Sequence, residues 1–308
     1  WKFENSTGAP NGPPLPGLAF FNTNTVTAKG SVTTLNIHNY SNPFSEWLKN
    51  IKTNDIIVIR GGGDLASGVA HRLFTSGFQV VILEVEKPMV IRRTVSFAQA
   101  VFDGVTTVEG VTARKANVLA DAHHILRNHE IPVIVDKDGS SISKLKPRAV
   151  IDAIIAKKNL GTDLSEAPLV IGLGPGFAAG KDVHMVIETN RGHNLGRVIL
   201  NGSPEPNTGI PGNTGGYTHE RVLRAPCTGI FHSELNIGDR VKKGQIAGYV
   251  DNTPVKVQID GILRGQIRSN TMVKDKLKIG DIDPRENINY CTTISEKARA
   301  MGGSVLEI

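Results

Sequence analysis

The 308-residue sequence contains little cysteine, few aromatic residues and no long apolar run. Its two cysteines, Cys227 and Cys291, match no zinc-binding spacing and are too few for a disulfide framework, which favours a reducing compartment. Aromatic residues make up 5% of the chain and the basic residues are scattered, so the pattern typical of nucleic-acid binding is missing. No segment approaches the ~20 apolar residues that cross a membrane. We therefore expect a cytoplasmic protein that binds neither nucleic acid nor membrane.

The length and charge of the chain indicate a protein of two domains with an acidic ligand or partner. A chain of 308 residues can bury two separate hydrophobic cores. It carries 35 Lys and Arg against 29 Asp and Glu, a net charge of +6. Such a balance favours an anionic small molecule or an acidic partner protein.

The N-terminal segment differs in composition from the rest of the chain. It is rich in Asn, Thr, Gly and Pro and shows no sustained period of 2 or 3.6 residues. We expect residues 1–53 to be a poorly ordered tail, either a native upstream segment or a non-native addition. A short helix over residues 43–52, with Ser41 as a cap, is predicted at its end.

The most informative stretch, DIIVIRGGGDLASGVAHRLFTSGFQVVILE, covers residues 55–84. Its pattern predicts a buried strand, a glycine turn, a helix and a second strand. Gly61, Gly63 and Ala66 fit the G-x-G-x-x-(G/A) turn, with Gly62 between the first two, and such a turn exposes backbone N–H groups to phosphate. We predict a nucleotide or other phosphorylated cofactor here, against the alternative of a purely structural turn.

Two acidic residues flank this turn. Glu84 ends the second strand 23 residues after Gly61, close to the roughly 20-residue spacing at which a carboxylate binds ribose hydroxyls. Asp64 lies within the turn, where a carboxylate beside a pyrophosphate is unfavourable unless it caps the helix or binds another group. The helix itself, predicted over residues 66–76, would add the partial positive charge of its N-terminus to the anion site.

The chain after Glu84 departs from a plain repeat of strands and helices. Arg92 and Arg93 precede a helix predicted over residues 96–102, and paired guanidinium groups suit either an acidic ligand or a solvated turn. Residues 149–159, AVIDAIIAKKN, predict an apolar helix on which Asp152 is either an inward polar group or a capping or surface residue.

A second glycine-rich loop follows another buried-strand pattern, over residues 167–199. Three of its glycines, Gly172, Gly174 and Gly176, would let the backbone approach a ligand closely. A strand over residues 183–188 should follow, which argues against a second dinucleotide turn. The polar candidates for a second ligand site are His184, Glu188, Arg191 and His193. Their spacing is irregular, so we predict no metal site.

The C-terminal part contains an internal repeat with a spacing of 32 residues, which for example aligns Gly229 with Gly261. Two similar halves of short strands imply a small pseudo-symmetric β domain. Its A-P-x-x-G and G-D-x-V-x-x-G-Q pattern resembles the barrel-sandwich hybrid fold of biotinyl and lipoyl carrier domains. The joint between the halves, YVDNTPVKV, offers only Lys256, which lies well inside the second half. Covalent biotin or lipoate is therefore not expected.

Together these patterns predict an α/β protein, in which a Rossmann-like domain of the dinucleotide-binding type is joined to a small all-β barrel-sandwich hybrid domain. The predicted divisions are the Rossmann-like domain over residues 54–200, a Gly/Pro-rich loop over 201–222, the β domain over 223–284, and a strand and helix over 285–308 that pack back on the α/β domain.

Six segments of the chain resemble the YqeB family: RGGGDLASGVAHRL, RRTVSFA, VIGLGPGFAAGKDVHMVIETNRGHNLGRV, TGIPG, GGYTHERVLRAP and IGDIDPR in that order, with the match extending over residues 55–308. The resemblance implies a bacterial, cytoplasmic accessory protein that takes part in the maturation of selenium-dependent molybdenum hydroxylases of the xanthine dehydrogenase type. It transfers no catalytic residues. A nucleotide or a molybdopterin-type cofactor would then bind at the glycine loops.

Two other functions are compatible with the sequence. An NAD(P)-dependent oxidoreductase would use Glu84 to select NAD and either His184 or His193 as proton donor. A non-enzymatic scaffold would use the β domain, which lacks the carrier lysine, to dock the hydroxylase.

Overall fold

The computed structural model describes residues 56–308, and the predictions for the N-terminal tail and its helix lie outside them. The strands are β1 (Ile56–Arg60), β2 (Gln79–Glu84), β3 (Val105–Val108), β4 (Val111–Ala116), β5 (Ile131–Val135), β6 (Ala149–Asp152), β7 (Leu169–Leu173), β8 (Met185–Ile187), β9 (Val198–Ile199), β10 (Val222–Arg224), β11 (Gly229–His232), β12 (Arg240–Val241), β13 (Ile246–Val250), β14 (Thr253–Lys256), β15 (Gly261–Gln266), β16 (Thr271–Val273) and β17 (Lys278–Asp283). The helices are α1 (Asp64–Thr75), α2 (Ala100–Asp103), α3 (Leu119–Arg127), α4 (Ile142–Leu145) and α5 (Glu296–Glu307).

A nine-stranded sheet in the order β3-β4-β5-β2-β1-β6-β7-β8-β9 forms the first part of the fold. The seven strands from β4 to β8 pair in parallel, whereas β3 and β9 pair antiparallel to their neighbours at the two edges. Every residue of β1 is buried, because both faces of the sheet are covered. Ile57 and Ile59 share a core with α1 and α5, while Ile56 and Val58 share one with α3.

Two smaller sheets form the second part, each with four antiparallel strands in the orders β10-β17-β15-β12 and β14-β13-β11-β16. The internal repeat explains their pairing. Gly229 of β11 pairs with Val273 of β16, and Val241 of β12 pairs with Gly261 of β15. A shift of 32 residues aligns Gly229 with Gly261 and Val241 with Val273, so the two pairs are equivalent in the repeat. Each half of the repeat therefore contributes strands to both sheets.

The predicted combination of a Rossmann-like domain and a barrel-sandwich hybrid is wrong. A doubly wound sheet requires crossover helices along its length, but within residues 56–308 no α-helix connects β6 to β7 or β7 to β8. The sheet is also mixed, with an antiparallel strand at each edge. The described fold is thus a large mixed sheet with two small antiparallel sheets.

Two local predictions also fail. The apolar run predicted as a helix over residues 149–159 forms β6 instead, which pairs with β1 and β7 in the centre of the sheet. Asp152 at its end is buried, and its carboxylate accepts hydrogen bonds from Thr162 Oγ1 at 2.6 Å and Ile154 N at 3.1 Å. The helix predicted over residues 96–102 is a 3-10 turn, Phe97–Gln99, that continues into the short α2.

The C-terminal helix α5 packs against α1 through small residues. A Cβ atom added to Gly68 of α1 would lie 2.6 Å from Cβ of Ala298, and one added to Gly302 would lie 2.8 Å from the carbonyl oxygen of Gly68. Ser295 caps α5 by accepting from Ala298 N at 3.3 Å. A 3-10 turn, Ile288–Cys291, replaces the strand predicted before this helix. The close contacts at Gly68 and Gly302 therefore fix α5 against α1.

The described helices give no candidate for a membrane span, since each is too short or too polar.

Candidate functional site

A cleft of about 480 Å³ opens at the carboxyl ends of the central strands β1 and β2, and we call it the glycine cleft. In parallel sheets this edge is where ligands bind. Its polar lining comes from Asp64, Glu84, Arg92 and Lys278, and Gly61 and Gly63 contribute backbone. The structure thus brings together residues of the first glycine turn, the end of β2 and the following arginine segment.

The backbone amides of Gly61 and Gly62 form hydrogen bonds within the protein. Gly61 has a φ of +92°, a conformation that L side chains rarely adopt, and its N–H donates to the Leu83 carbonyl oxygen at 2.8 Å. The Gly62 N–H donates to Oε2 of Glu84 at 2.7 Å, and a Cβ at Gly62 would lie 2.9 Å from Ala98 N. Both amides are therefore engaged in holding the turn rather than directed at a ligand.

Gly63 is the glycine that faces the cleft. It is the N-cap residue of α1, with φ −65° and ψ −178°, and no side chain of the described residues caps the helix there. A Cβ at Gly63 would have Val90 Cγ1, 3.8 Å away, as its nearest neighbour. The first N–H groups of a helix have no intrahelical partners, so the start of α1 presents donors to the cleft.

Glu84 is fixed in place by two backbone amides. Its Oε2 accepts from Gly62 N and its Oε1 from Val85 N, each at 2.7 Å. Burial raises the pKa of this carboxyl, and the two amide hydrogen bonds oppose the rise. The carboxylate that was predicted to bind a ribose therefore forms hydrogen bonds with the backbone, one of them to the glycine turn that precedes α1.

Arg92 is the buried cation of the glycine cleft, with 7% of its surface exposed. Its Nη2 donates to the carbonyl oxygens of Tyr290 and Thr293, both at 2.8 Å, and its Nη1 lies 3.5 Å from Oδ2 of Asp64. Nε is buried without a hydrogen-bond partner in the described part of the chain. Burial lowers the pKa of Arg92, and the nearby charge of Arg264 lowers it further. An anion in the cleft would relieve both effects.

The predicted pair of arginines separates in the structure. Arg93 does not line the cleft, because its Nε donates to the Gln266 carbonyl oxygen of β15 at 2.8 Å. Burial lowers its pKa as well. Its position ties the arginine segment to the second part of the fold.

The second glycine loop is packed against protein. A Cβ at Gly172 would lie 2.6 Å from the Phe177 ring, and one at Gly176 would lie 2.6 Å from the backbone of Lys158. Gly174 packs equally closely on Thr189. The close approach that these glycines permit is between two parts of the chain, and not to a ligand as predicted.

Three of the four predicted polar residues of this loop have partners within the chain. His184 Nδ1 accepts from Val170 N at 2.9 Å, and the buried Glu188 accepts from the amides of Asn190 and Glu205, both at 2.7 Å. Arg191 forms an ion pair with Glu296, and His193 is exposed. Arg191 lines a separate cleft of about 160 Å³ that none of the other predicted polar residues of this loop reaches.

Lys278 and the acidic side chains are the remaining polar features of the site. Lys278 of β17 lines the glycine cleft, yet it comes from the second part of the fold and no local pattern in KLKIGDI marks it. Among residues 56–308 no group of three or more His, Cys, Asp or Glu side chains could hold a metal ion.

The raised pKa of Glu84 predicts a pH dependence of anion binding. The carboxyl is protonated in the folded protein at a pH above the ordinary value of 4.5, so its contribution to stability is present below 4.5 and is lost as pH rises through the folded pKa. Sulfate, whose charge is constant from about pH 4 to 8, should bind about fivefold more tightly once Glu84 is neutral, as expected for about 1 kcal/mol of screened repulsion.

Sulfate titration by calorimetry at a series of pH values measures this dependence. Glu84→Gln should bind sulfate with the low-pH affinity at every pH. If the variant keeps the full pH dependence, Glu84 does not face the anion.

The fold and the glycine cleft define a class: an α/β protein with a large mixed sheet and an anion-suited cleft at the carboxyl ends of its parallel strands. The chain is 54% identical over 254 residues to uncharacterized protein YqeB of Escherichia coli (strain K12), a match that covers 82% of this chain and 47% of that protein. The identity supports membership of the YqeB family, as the motifs predicted. The chain spans about half the length of this curated relative.

No family model matches the chain. Among solved structures, the product-bound ectoine utilization protein EutE (DoeB) from Ruegeria pomeroyi is 10% identical, with 74% of this chain and 85% of that chain covered and a TM-score of 0.24. An aspartoacylase family protein from Mesorhizobium loti is 11% identical, with coverage of 75% and 85% and a TM-score of 0.22. Similarity at this level assigns neither a fold nor an activity.

Proposed function

We propose that this chain is a cytoplasmic accessory protein in the maturation of a selenium-dependent molybdenum hydroxylase of the xanthine dehydrogenase type. In this proposal the glycine cleft binds the phosphate of a nucleotide or of a molybdopterin-type cofactor. The single observation that carries the binding is the open face of Gly63 at the start of α1, beside the buried Arg92. The maturation role comes from the YqeB resemblance.

The residues of the cleft fit a phosphate. The amides at the start of α1 and the guanidinium of Arg92 supply N–H donors and positive charge, which together favour a phosphate oxygen over a neutral group. Lys278 adds an ammonium at the cleft, although its Nζ also lies 3.1 Å from Oδ1 of Asp281. Asp64 pairs with Arg92 and so is drawn away from a phosphate at Gly63.

The same geometry disfavours an NAD(P)-dependent oxidoreductase. Both oxygens of Glu84 already accept backbone amides, which competes with a ribose hydroxyl. No histidine is among the described residues that line the glycine cleft, and His184 is bonded to the backbone of β7. A proton donor of the expected type is therefore missing from the place where a nicotinamide ring would need it.

Native mass spectrometry of the protein from its own cytoplasm, with calorimetric titration of NAD, NADP, ATP, CTP and molybdopterin, tests the proposal. We expect a bound pterin or nucleotide other than NAD(P). Tight binding of NAD(P) alone would indicate the oxidoreductase, and the absence of any small ligand would indicate the scaffold. The first result would contradict the maturation role, and the second would contradict ligand binding at the cleft.

A further inference from the structure

A second cavity, of about 590 Å³, lies at the N-terminus of α5, and we call it the arginine cavity. Four arginines line it: Arg92, Arg264, Arg285 and Arg299. Glu296 is the carboxylate of the lining, and it already pairs with Arg191. The cavity therefore presents several guanidinium groups to one space that is open to solvent.

Two of these guanidinium groups are buried and incompletely bonded. Arg92 and Arg264 are each 7% exposed, and Nε of each has no hydrogen-bond partner in the described part of the chain. An arginine stays charged in proteins, so a buried N–H without a partner is costly. Nη1 of Arg264 lies 3.5 Å from Oδ2 of Asp283 and 3.9 Å from Oδ2 of Asp281, which are long contacts for an ion pair.

Positive charge exceeds negative charge around Arg264. Asp281 is shared among Arg221, Arg264 and Lys278, and Asp283 is shared between Arg264 and Arg285. Two carboxylates thus serve four cations. The charge of Arg264 also contributes, after burial, to the lowered pKa of Arg92. A further anion in the cavity would balance this excess.

The helix adds to the same field. α5 has 12 residues, and its N-terminus at Ser295 and Glu296 borders the cavity. A helix N-terminus carries a partial positive charge, which acts here together with the guanidinium groups. Arg285 is held in place by Asp283, with its Nη2 2.6 Å from Oδ2, and by the Tyr290 ring, whose centroid lies 4.4 Å from its Cζ. Arg285 is thus held in position by contacts within the protein.

We propose that the arginine cavity is a second oxyanion site, distinct from the glycine cleft, which binds a phosphate group. Guanidinium groups bind tetrahedral oxyanions through paired N–H donors, and Arg92 and Arg264 each have an unbonded Nε among the described residues. Arg285 and Arg299, which pair with Asp283 and Glu109, add positive charge to the same cavity. The phosphate is either free inorganic phosphate or the phosphomonoester of a small metabolite. Because Arg92 borders both cavities, binding at one site should be felt at the other.

Calorimetric titration with inorganic phosphate at constant ionic strength tests the site. The Gly63→Ile variant serves as background, because its side chain extends into the glycine cleft at the start of α1, whereas Gly63 does not line the arginine cavity. We expect one phosphate per chain to remain bound in this variant. Arg299→Gln, combined with Arg285→Gln, should weaken that binding by about tenfold or more. Both side chains are partly exposed, so these changes test the cavity where Arg264→Gln could unfold the chain.

Arg240→Gln is the matched control. Its side chain is 70% exposed, pairs with Glu286 and lies outside the cavity lining, so phosphate affinity should not change. A parallel titration with glucose 6-phosphate distinguishes the two ligands. Tighter binding of glucose 6-phosphate than of inorganic phosphate would indicate a phosphomonoester, and equal or weaker binding would indicate free phosphate. Absence of phosphate binding in the Gly63→Ile background, or equal binding by the Arg285 and Arg299 variant, would overturn the proposal. Titration of the protein that retains Gly63 tests phosphate binding at the glycine cleft separately.

Discussion

The Gly63→Ile protein is expected to lose phosphate-ligand binding at the glycine cleft while it keeps its fold. The backbone at Gly63 has φ −65° and ψ −178°, which a residue with a side chain adopts without strain. The space beside it is open, with Val90 Cγ1 3.8 Å from an added Cβ. An isoleucine would extend into the place of the phosphate and block at least two charge-assisted hydrogen bonds. Affinity should fall by about a hundredfold or more.

Titration of the ligand identified by mass spectrometry, with circular dichroism as a check on folding, measures this effect. Gly303→Ile is the matched control, since an added Cβ at Gly303 likewise meets open space, with no neighbour within 4 Å, but Gly303 lies on α5 and does not line the cleft. The control should bind as the unmodified protein does. Undiminished binding by Gly63→Ile would refute the phosphate site at the start of α1.

The local order of the first 30 described residues could be predicted, because strand and helix periods differ and glycines separate them. β1, α1 and β2 follow the pattern read from the sequence, although α1 begins at Asp64 rather than at residue 66. The observed start of the helix differs from the predicted one because Gly63 takes the N-cap position. The sequence of a glycine turn does not show which of its residues precedes the helix.

The topology beyond this unit could not be predicted, because short apolar runs suit a strand and a buried helix equally well. β6 has such a run, and it forms a strand because it pairs with both β1 and β7. The connections after it contain too few helical residues for a doubly wound sheet. Pairing partners far apart in the chain therefore determined the fold where local preference was ambiguous.

In the candidate site, too, residues marked by a local pattern could be predicted and those that depend on tertiary packing could not. Glu84 was identified because it ends a recognisable strand at a telling spacing from the glycine turn, and Arg92 because it is paired with Arg93 before a predicted helix. Both line the glycine cleft. The glycines of the second loop were assigned to a ligand, whereas they pack on Phe177 and other parts of the chain, since a sequence does not show what fills the space beside a glycine. Lys278 reaches the cleft only because two distant parts of the fold meet there.

The Gly68→Val protein should be markedly less stable, because α1 and α5 touch at this residue. An added Cβ would lie 2.6 Å from Cβ of Ala298 and 2.8 Å from its carbonyl oxygen, so one helix must move. The movement would expose Met301 and Val305, which are fully or almost fully buried. A loss of about 3 kcal/mol is expected, the upper part of the range for overpacked cores.

Urea unfolding, followed by circular dichroism, measures this loss, and Gly303→Val is the control. Gly303 lies on the same helix with open space beside it, so valine there should leave the free energy of unfolding unchanged or slightly higher. Because α1 begins at the glycine cleft, displacement of α5 should also weaken ligand binding in proportion to the loss of order at the start of α1. If Gly68→Val unfolds within about 0.5 kcal/mol of the unmodified protein, the two helices do not pack as closely as described.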